Sequence, residues 1–338
     1  NGVSIDCSKM TYLMKNVPAF VEEDYMTAAS NFKSAMYFEL SDVQLLNGSK
    51  QSYTKDWRSV DYDLISERRL GSQMKRKDLF KDLMPNILAN TTDDLSKAKA
   101  VYNYIKKQIK WNDYYGKYSE ETIKNALDDR SGNVADINLS LIAALGAANL
   151  DAEAVILSTR DNGNVNKLNP VISEFNYLIA KVNIGNESYL LDATEPLLPF
   201  GLLPLRCING EGRVINLKKP SYWIDLKAAQ KSVTSYVLNG NLDNDGKIKG
   251  ILTSTTVGYA AHSRRKEIKK YNSIDEFVEK LDESLTKISI KEYEISKLDS
   301  VDFPLIESYD VEFSVHDGTN ESQLFINPFF INKISKNP

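Results

Sequence analysis

The spacing of apolar and polar positions divides the chain into stretches of different period. From Met36 to Leu46 it reads Met-Tyr-Phe-Glu-Leu-Ser-Asp-Val-Gln-Leu-Leu, β-forming residues in partial alternation, and Asn47-Gly48 follows. That pattern predicts a strand closed by a turn. Upstream, Val17-Pro18-Ala19-Phe20 with Glu22, Glu23 and Asp24 predicts an extended connector with an acidic rim. From about Trp57 the period becomes helical. Leu79, Leu83, Ile87 and Leu88 recur at helical spacing, and Pro85 is expected to bend or end that segment. A longer helix follows, with Asp93 or Asp94 as N-cap and Ala98, Val101, Tyr102, Ile105 and Ile109 on one face, closed by Trp111. Asn138 to Ala148 is apolar on nearly all sides and predicts a buried helix that begins near Gly132.

Beyond this helix the period drops to two. Ala154-Val-Ile-Leu-Ser, Tyr177-Leu-Ile-Ala-Lys-Val-Asn-Ile and Ser188-Tyr-Leu-Leu-Asp-Ala-Thr read as strands separated by Asn/Gly-rich loops. From about Ser232 short strands return, with turn signals at Asn239-Gly240, Asp245-Gly246 and Asp317-Gly318 and one helical stretch from Ile274 to Leu285. This predicts a β-sandwich with a helical insertion. There is no internal repeat and no low-complexity tract.

Bulk properties narrow the function classes. A length of 338 residues favours two or three domains, each able to bury a core without staples. The 42 basic and 46 acidic residues are interspersed, giving a net charge of −4 that does not point to nucleic acid. No apolar run is long enough to span a bilayer. Cys7 and Cys207 lie in different segments and fit no metal-ligand spacing, so neither a metal nor a cofactor is expected and no compartment is fixed. The chain opens Asn-Gly-Val, so any signal peptide would have to precede it.

The run Arg130-Ser-Gly-Asn-Val-Ala-Asp-Ile-Asn-Leu-Ser-Leu-Ile-Ala-Ala-Leu-Gly-Ala-Ala-Asn-Leu resembles the nucleophile segment of transglutaminase-like proteins, in which Gly-x-Cys-x-Asp opens the core helix. Glu174-Phe-Asn-Tyr is similar to the family's Phe-Asn-His element, and Tyr189-Leu-Leu-Asp-Ala-Thr to its Asp-x-Thr element. The resemblance runs roughly from Trp57 to Asn209. The flanks, including Val17-Pro-Ala-Phe and Asn327-Pro-Phe, are similar to the β-rich domains that accompany this module in large secreted proteins of Bacteroides-type bacteria. The implied fold class is α+β, a papain/transglutaminase-like core with a buried helix packed on an antiparallel sheet, followed by a β-sandwich-like domain. The implied division is 1–56, the β-rich end of a preceding domain; 57–215, the transglutaminase-like domain; and 216–338, a β-sandwich-like domain with its helical insertion. A periplasmic or cell-surface location is implied as well.

Within this resemblance, Val134 stands at the family's cysteine, Tyr177 at its histidine, and Asp192 keeps the third residue type. The family reaction needs a thiolate at a helix N-terminus, activated by an imidazolium that an acid orients. Valine has no nucleophilic atom, and tyrosine, with an ordinary pKa of about 10, is a poor base near neutrality. Losing one member of a comparable triad can cost about 10⁶ in turnover. A pseudoenzyme is therefore expected, one that binds a peptide, glycan or protein partner or acts as an assembly module. Trp111, Asn133, Asp136 and Asn176 are the candidate binding residues, although for Asn133 and Asp136 capping the core helix is the favoured role. The alternatives are a purely structural spacer and a protease- or amidase-like enzyme with a relocated nucleophile. Exposed aromatics along an open cleft would favour binding, a cleft filled by Val134 and Tyr177 the structural role, and a Cys or His reaching the cleft catalysis.

Other features carry plainer expectations. His262 and His316 read as surface or strand-edge residues, and Cys207 as a partly buried structural cysteine. Asn241-x-Asp243-x-Asp245-Gly246 resembles the front of a calcium loop but has Leu252 at its twelfth position, so a β-turn is expected. The basic run from His262 to Lys270 reads as a solvated helix or strand end.

Overall fold

A computed structural model describes residues 8–314, apart from residues 25, 37, 39, 46, 53, 54, 286 and 287. Cys7, His316, Asp317-Gly318 and Asn327-Pro-Phe lie outside the described residues. A small hairpin, β1 (Asp42–Gln44) and β2 (Lys50–Ser52), precedes a helical layer of α1 (Trp57–Ser66), α2 (Gly71–Met74), α3 (Met84–Ile87) and α4 (Asp94–Gln108). Next come β3 (Lys110–Trp111), α5 (Ile123–Asp129), β4 (Ser131–Gly132) and the central helix α6 (Val134–Ala147). Strands β5 (Asp151–Leu157), β6 (Tyr177–Ile184), β7 (Glu187–Leu191), β8 (Glu211–Ile215) and β9 (Tyr222–Asp225) form one antiparallel sheet in the order β7-β6-β5-β8-β9.

Helix α6 is wrapped because its sequence offers water almost nothing: thirteen of its fourteen residues are buried. It packs on β5 and β6, with α4 against it. Asp93 caps α4 by accepting from the Ser96 amide, and Ala98, Val101, Tyr102 and Ile105 form the buried face as expected. Strand β5 is buried on both faces from Glu153 to Leu157, which is why it reads as a nearly continuous apolar run. Of the strand expected from Met36 to Leu46, Asp42–Gln44 is strand among the described residues, and its turn is present, with Gly48 at φ +82°. Pro85 does not end a helix. It occupies the first turn of α3, where its missing N–H costs nothing, and the Leu79–Leu83 stretch before it is a 3-10 helix, Lys77–Leu83.

The chain then forms a second sheet from β10 (Val233–Leu242), β11 (Lys247–Val257), β12 (Ile288–Ser296) and β13 (Leu305–Ser314), in the order β10-β11-β13-β12, with helices α7 (Gly258–Ile268) and α8 (Ile274–Ser284) against it. The α+β class and the sheet-rich C-terminal region are as expected. The second layer differs from a sandwich: among the described residues it is made of the two helices. Alternation in β11 and β13 leaves one apolar face, and the apolar side of α8, with Phe277 and Val278 buried, covers it. Helix α7 was anticipated only as a solvated helix or strand end from His262, and β9 carries the core sheet to Asp225, beyond residue 215. Asn239-Gly240 is not a turn but lies inside β10, where Gly240 faces Gly250 so closely that a Cβ on Gly250 would collide with the Gly240 Cα. Asp245-Gly246 does turn the chain between β10 and β11. No helix among the described residues is long and apolar enough to cross a membrane.

Candidate functional site

The N-terminus of α6 is built by a reciprocal cap. The Asn133 side chain accepts from the Asp136 amide (2.9 Å), and Asp136 Oδ2 accepts from the Asn133 amide (3.0 Å). Asp136 Oδ1 also accepts from Ser119 Oγ and from the Glu120 amide, and Asn133 Nδ2 donates to the Tyr118 carbonyl. Burial pushes the Asp136 carboxyl above its ordinary value against these bonds. Both residues are thus committed to holding the helix start and the loop before it. The parallel pairing of β3 with β4 brings Trp111 to the same place.

Val134, the first residue of α6, is 0 % exposed, and so are Tyr177 and Asp192. Tyr177 opens β6 and Asp192 follows β7, so neighbouring strands place the phenol against the carboxylate: Tyr177 OH donates to Asp192 Oδ2 at 2.7 Å. The other Asp192 oxygen accepts from Asn138 Nδ2 (3.1 Å) and the Thr194 amide (3.0 Å). Burial, reinforced by Asp192, raises the Tyr177 pKa well above its ordinary value, so the phenol stays protonated.

Arg206 seals the arrangement. Its Nε donates to Tyr177 OH (2.9 Å), Nη1 to Glu195 Oε1 (2.8 Å) and Nη2 to Thr194 Oγ1 (2.8 Å). The guanidinium lies 4.6 Å from the Trp111 ring centroid and 5.5 Å from that of Tyr177. Cys207 is fully buried, rather than partly, in one apolar cluster with Val134 and Tyr177; its Sγ is 4.0 Å from Asp192 Oδ2. Burial holds its thiol far above the ordinary range, so it is no thiolate.

Several expected positions shift. Asn176 does not join this group; its amide oxygen accepts from the Thr159 amide and its Nδ2 donates to Thr159 Oγ1. His262 is not a surface residue: its side chain is 12 % exposed, with Nε2 4.0 Å from Glu195 Oε2, because α7 docks on the loop after β7. Burial lowers its pKa. The basic run is likewise no simple solvated end. Arg265 is 1 % exposed and donates to the carbonyls of Lys297, Leu298, Ser300 and Phe303, while Arg264 pairs with buried Glu307. Asp243 Oδ1 accepts from the amides of Asp245 and Lys247, forming the turn expected of the calcium-like segment. Among the described residues no group of three His, Cys, Asp or Glu could hold a metal.

Sequence reasoning missed Asn138, Arg206 and Glu195. Asn138 was visible as a polar position inside an apolar helix, where it donates to the Leu178 carbonyl and accepts from the Ala193 amide. Arg206 and Glu195 lie in loops without a period.

Residues 81–189 match the family model described as the transglutaminase-like superfamily, a span that includes Val134 and Tyr177 and stops short of Asp192. Among solved structures, the chain is similar to a candidate protease from Parabacteroides distasonis, at 9 % identity and a TM-score of 0.34, over 76 % of this chain and 52 % of that one. It is also similar to a candidate cysteine protease from Cytophaga hutchinsonii, at 16 % identity and a TM-score of 0.30, over 53 % of this chain and 61 % of that one. The chain therefore spans less than two thirds of either structure's length. No curated protein matches it.

Proposed function

With residues 81–189 a transglutaminase-like domain, we propose that the protein is a non-catalytic form of that module, its reaction centre converted into a packed structural node and its role that of a binding or assembly protein. One observation carries this reading. Where a thiolate and an imidazole would have to meet a substrate carbonyl, Val134 and Tyr177 are fully buried and Arg206 lies over Tyr177, bonded to its hydroxyl. That leaves no nucleophile and no base at those two positions, and the one thiol beside them, Cys207, is fully buried with its proton held by that burial.

A filled centre favours the structural role for the cleft itself and moves partner recognition to the surface above it. Tyr114 and Tyr115 there are 71 % and 41 % exposed, and the Tyr115 ring stacks on Trp111. Aromatic side chains offer large contact area at low entropic cost to a peptide, glycan or protein partner. The test is to supply the purified protein with a glutamine peptide and a primary amine, and separately with a peptidase substrate. No transamidation, deamidation or thiol-dependent cleavage above the protein-free control is expected. Turnover that disappears in Cys207→Ala would sink the proposal.

A further inference from the structure

Between the inner face of the C-terminal sheet and helices α7 and α8 lies a cavity of about 420 Å³, within the range of small-molecule sites. Strand register grades its chemistry along the strands. Thr234 pairs with Thr256 and Ser254 with Glu307 at one end; Leu252 pairs with Tyr309, and Val311 with Ile290, toward the other. Ser263 of α7 joins the polar end, and Leu281 of α8 and Leu285 just after it join the apolar wall.

The charges at the polar end are already spent on each other. Glu307 is 1 % exposed, and both its oxygens accept from Arg264, at 2.8–3.0 Å. Tyr309 OH donates to it as well (2.7 Å), and Glu267 takes a further Arg264 N–H (2.9 Å). An anionic guest would compete with Glu307 for the guanidinium, and a cationic one would have to displace Arg264; either strands a buried charge. Uncharged hydroxyls remain. Those of Ser254 and Ser263 line the cavity at this end, with Ser254 opposite Glu307 on the neighbouring strand.

We propose that this cavity binds a small neutral amphiphile, its hydroxyl or amide head at the Ser254–Ser263 end and its hydrocarbon body along Leu252, Leu281 and Val311. The proposal is independent of the sealed core centre. Its test is calorimetric titration of the full chain with octan-1-ol, octanoate and octylammonium. Octan-1-ol should bind saturably at one site, and the two charged probes at least about tenfold more weakly. Ser254→Ala, which removes one hydroxyl from the lining, should weaken octan-1-ol by about three- to tenfold. Ala260→Phe, which puts a ring into the α7 wall, should abolish binding; if that variant does not fold, Ser254→Ala carries the test alone. Absence of saturable binding, equal affinity for the three probes, or octan-1-ol binding unchanged in Ser254→Ala overturns the proposal.

Discussion

Tyr177 shows how one buried hydroxyl can join several elements. At this position a phenol cannot relay protons near neutrality, yet it can donate to a buried carboxylate and accept from a guanidinium at once, and it does both. Tyr177→Phe should therefore lower unfolding stability by about 2 kcal/mol, the scale of a hydrogen bond to a charged group together with the donor that Asp192 loses. Urea unfolding measures it, and an unchanged midpoint would mean the bond contributes nothing. The sequence was sufficient to locate Val134, Tyr177 and Asp192, because each sits at a fixed offset within a local motif. Arg206 was beyond it. Nothing near Leu205-Arg-Cys says that this side chain will cross to Tyr177, Thr194 and Glu195.

Among the elements, α6 was the most legible, since an apolar run with Asn-x-x-Asp before it writes both the burial and the cap. Asn133→Ala removes the cap and the bond to the Tyr118 carbonyl, so a loss of about 1 to 2 kcal/mol is expected by thermal unfolding. A loss no larger than that of an exposed control such as Asn125→Ala would refute the capping role. Helix α7 was only partly legible for a definite reason. Arg264 is half-buried and Arg265 fully buried through ion pairs and carbonyl bonds, so its polar residues do not mark its solvent face and the apolar period is weak. Strand β10 hid behind Asn239-Gly240, a turn signal overridden by close contact with Gly250.

For the whole molecule, acid stability follows from buried ion pairs that tie the strands together. Burial alone would raise the Glu153 carboxyl, but bonds from Lys181, Asn216 and Asn183 outweigh it and hold the pKa down from 4.5 to about 2. A carboxyl depressed in the folded state favours folding above its unfolded pKa, and that contribution is lost as pH falls through the folded value. Stability should fall as pH drops from about 5 toward 2, and Glu153→Gln should flatten that part of the curve in urea titrations at each pH. A mutant curve parallel to the wild type would refute the assignment. Glu195 acts in the same direction: burial raises its carboxyl, yet Lys266 and Arg206 hold it low. Because Lys266 belongs to α7, that ion pair also joins the C-terminal region to the core.

By itself the sequence determined the buried helix and its cap, the period-two strands after it, and the α+β class. These are local properties, written in neighbouring residues and their period. Only the tertiary structure decided that Arg206 and Cys207 close over Tyr177 and Asp192, that His262 reaches Glu195, and that two helices rather than a second sheet cover the C-terminal strands. Such contacts join residues far apart along the chain. They are set by which surfaces must be covered and which buried charges must be paired, and neither requirement leaves a period in the sequence.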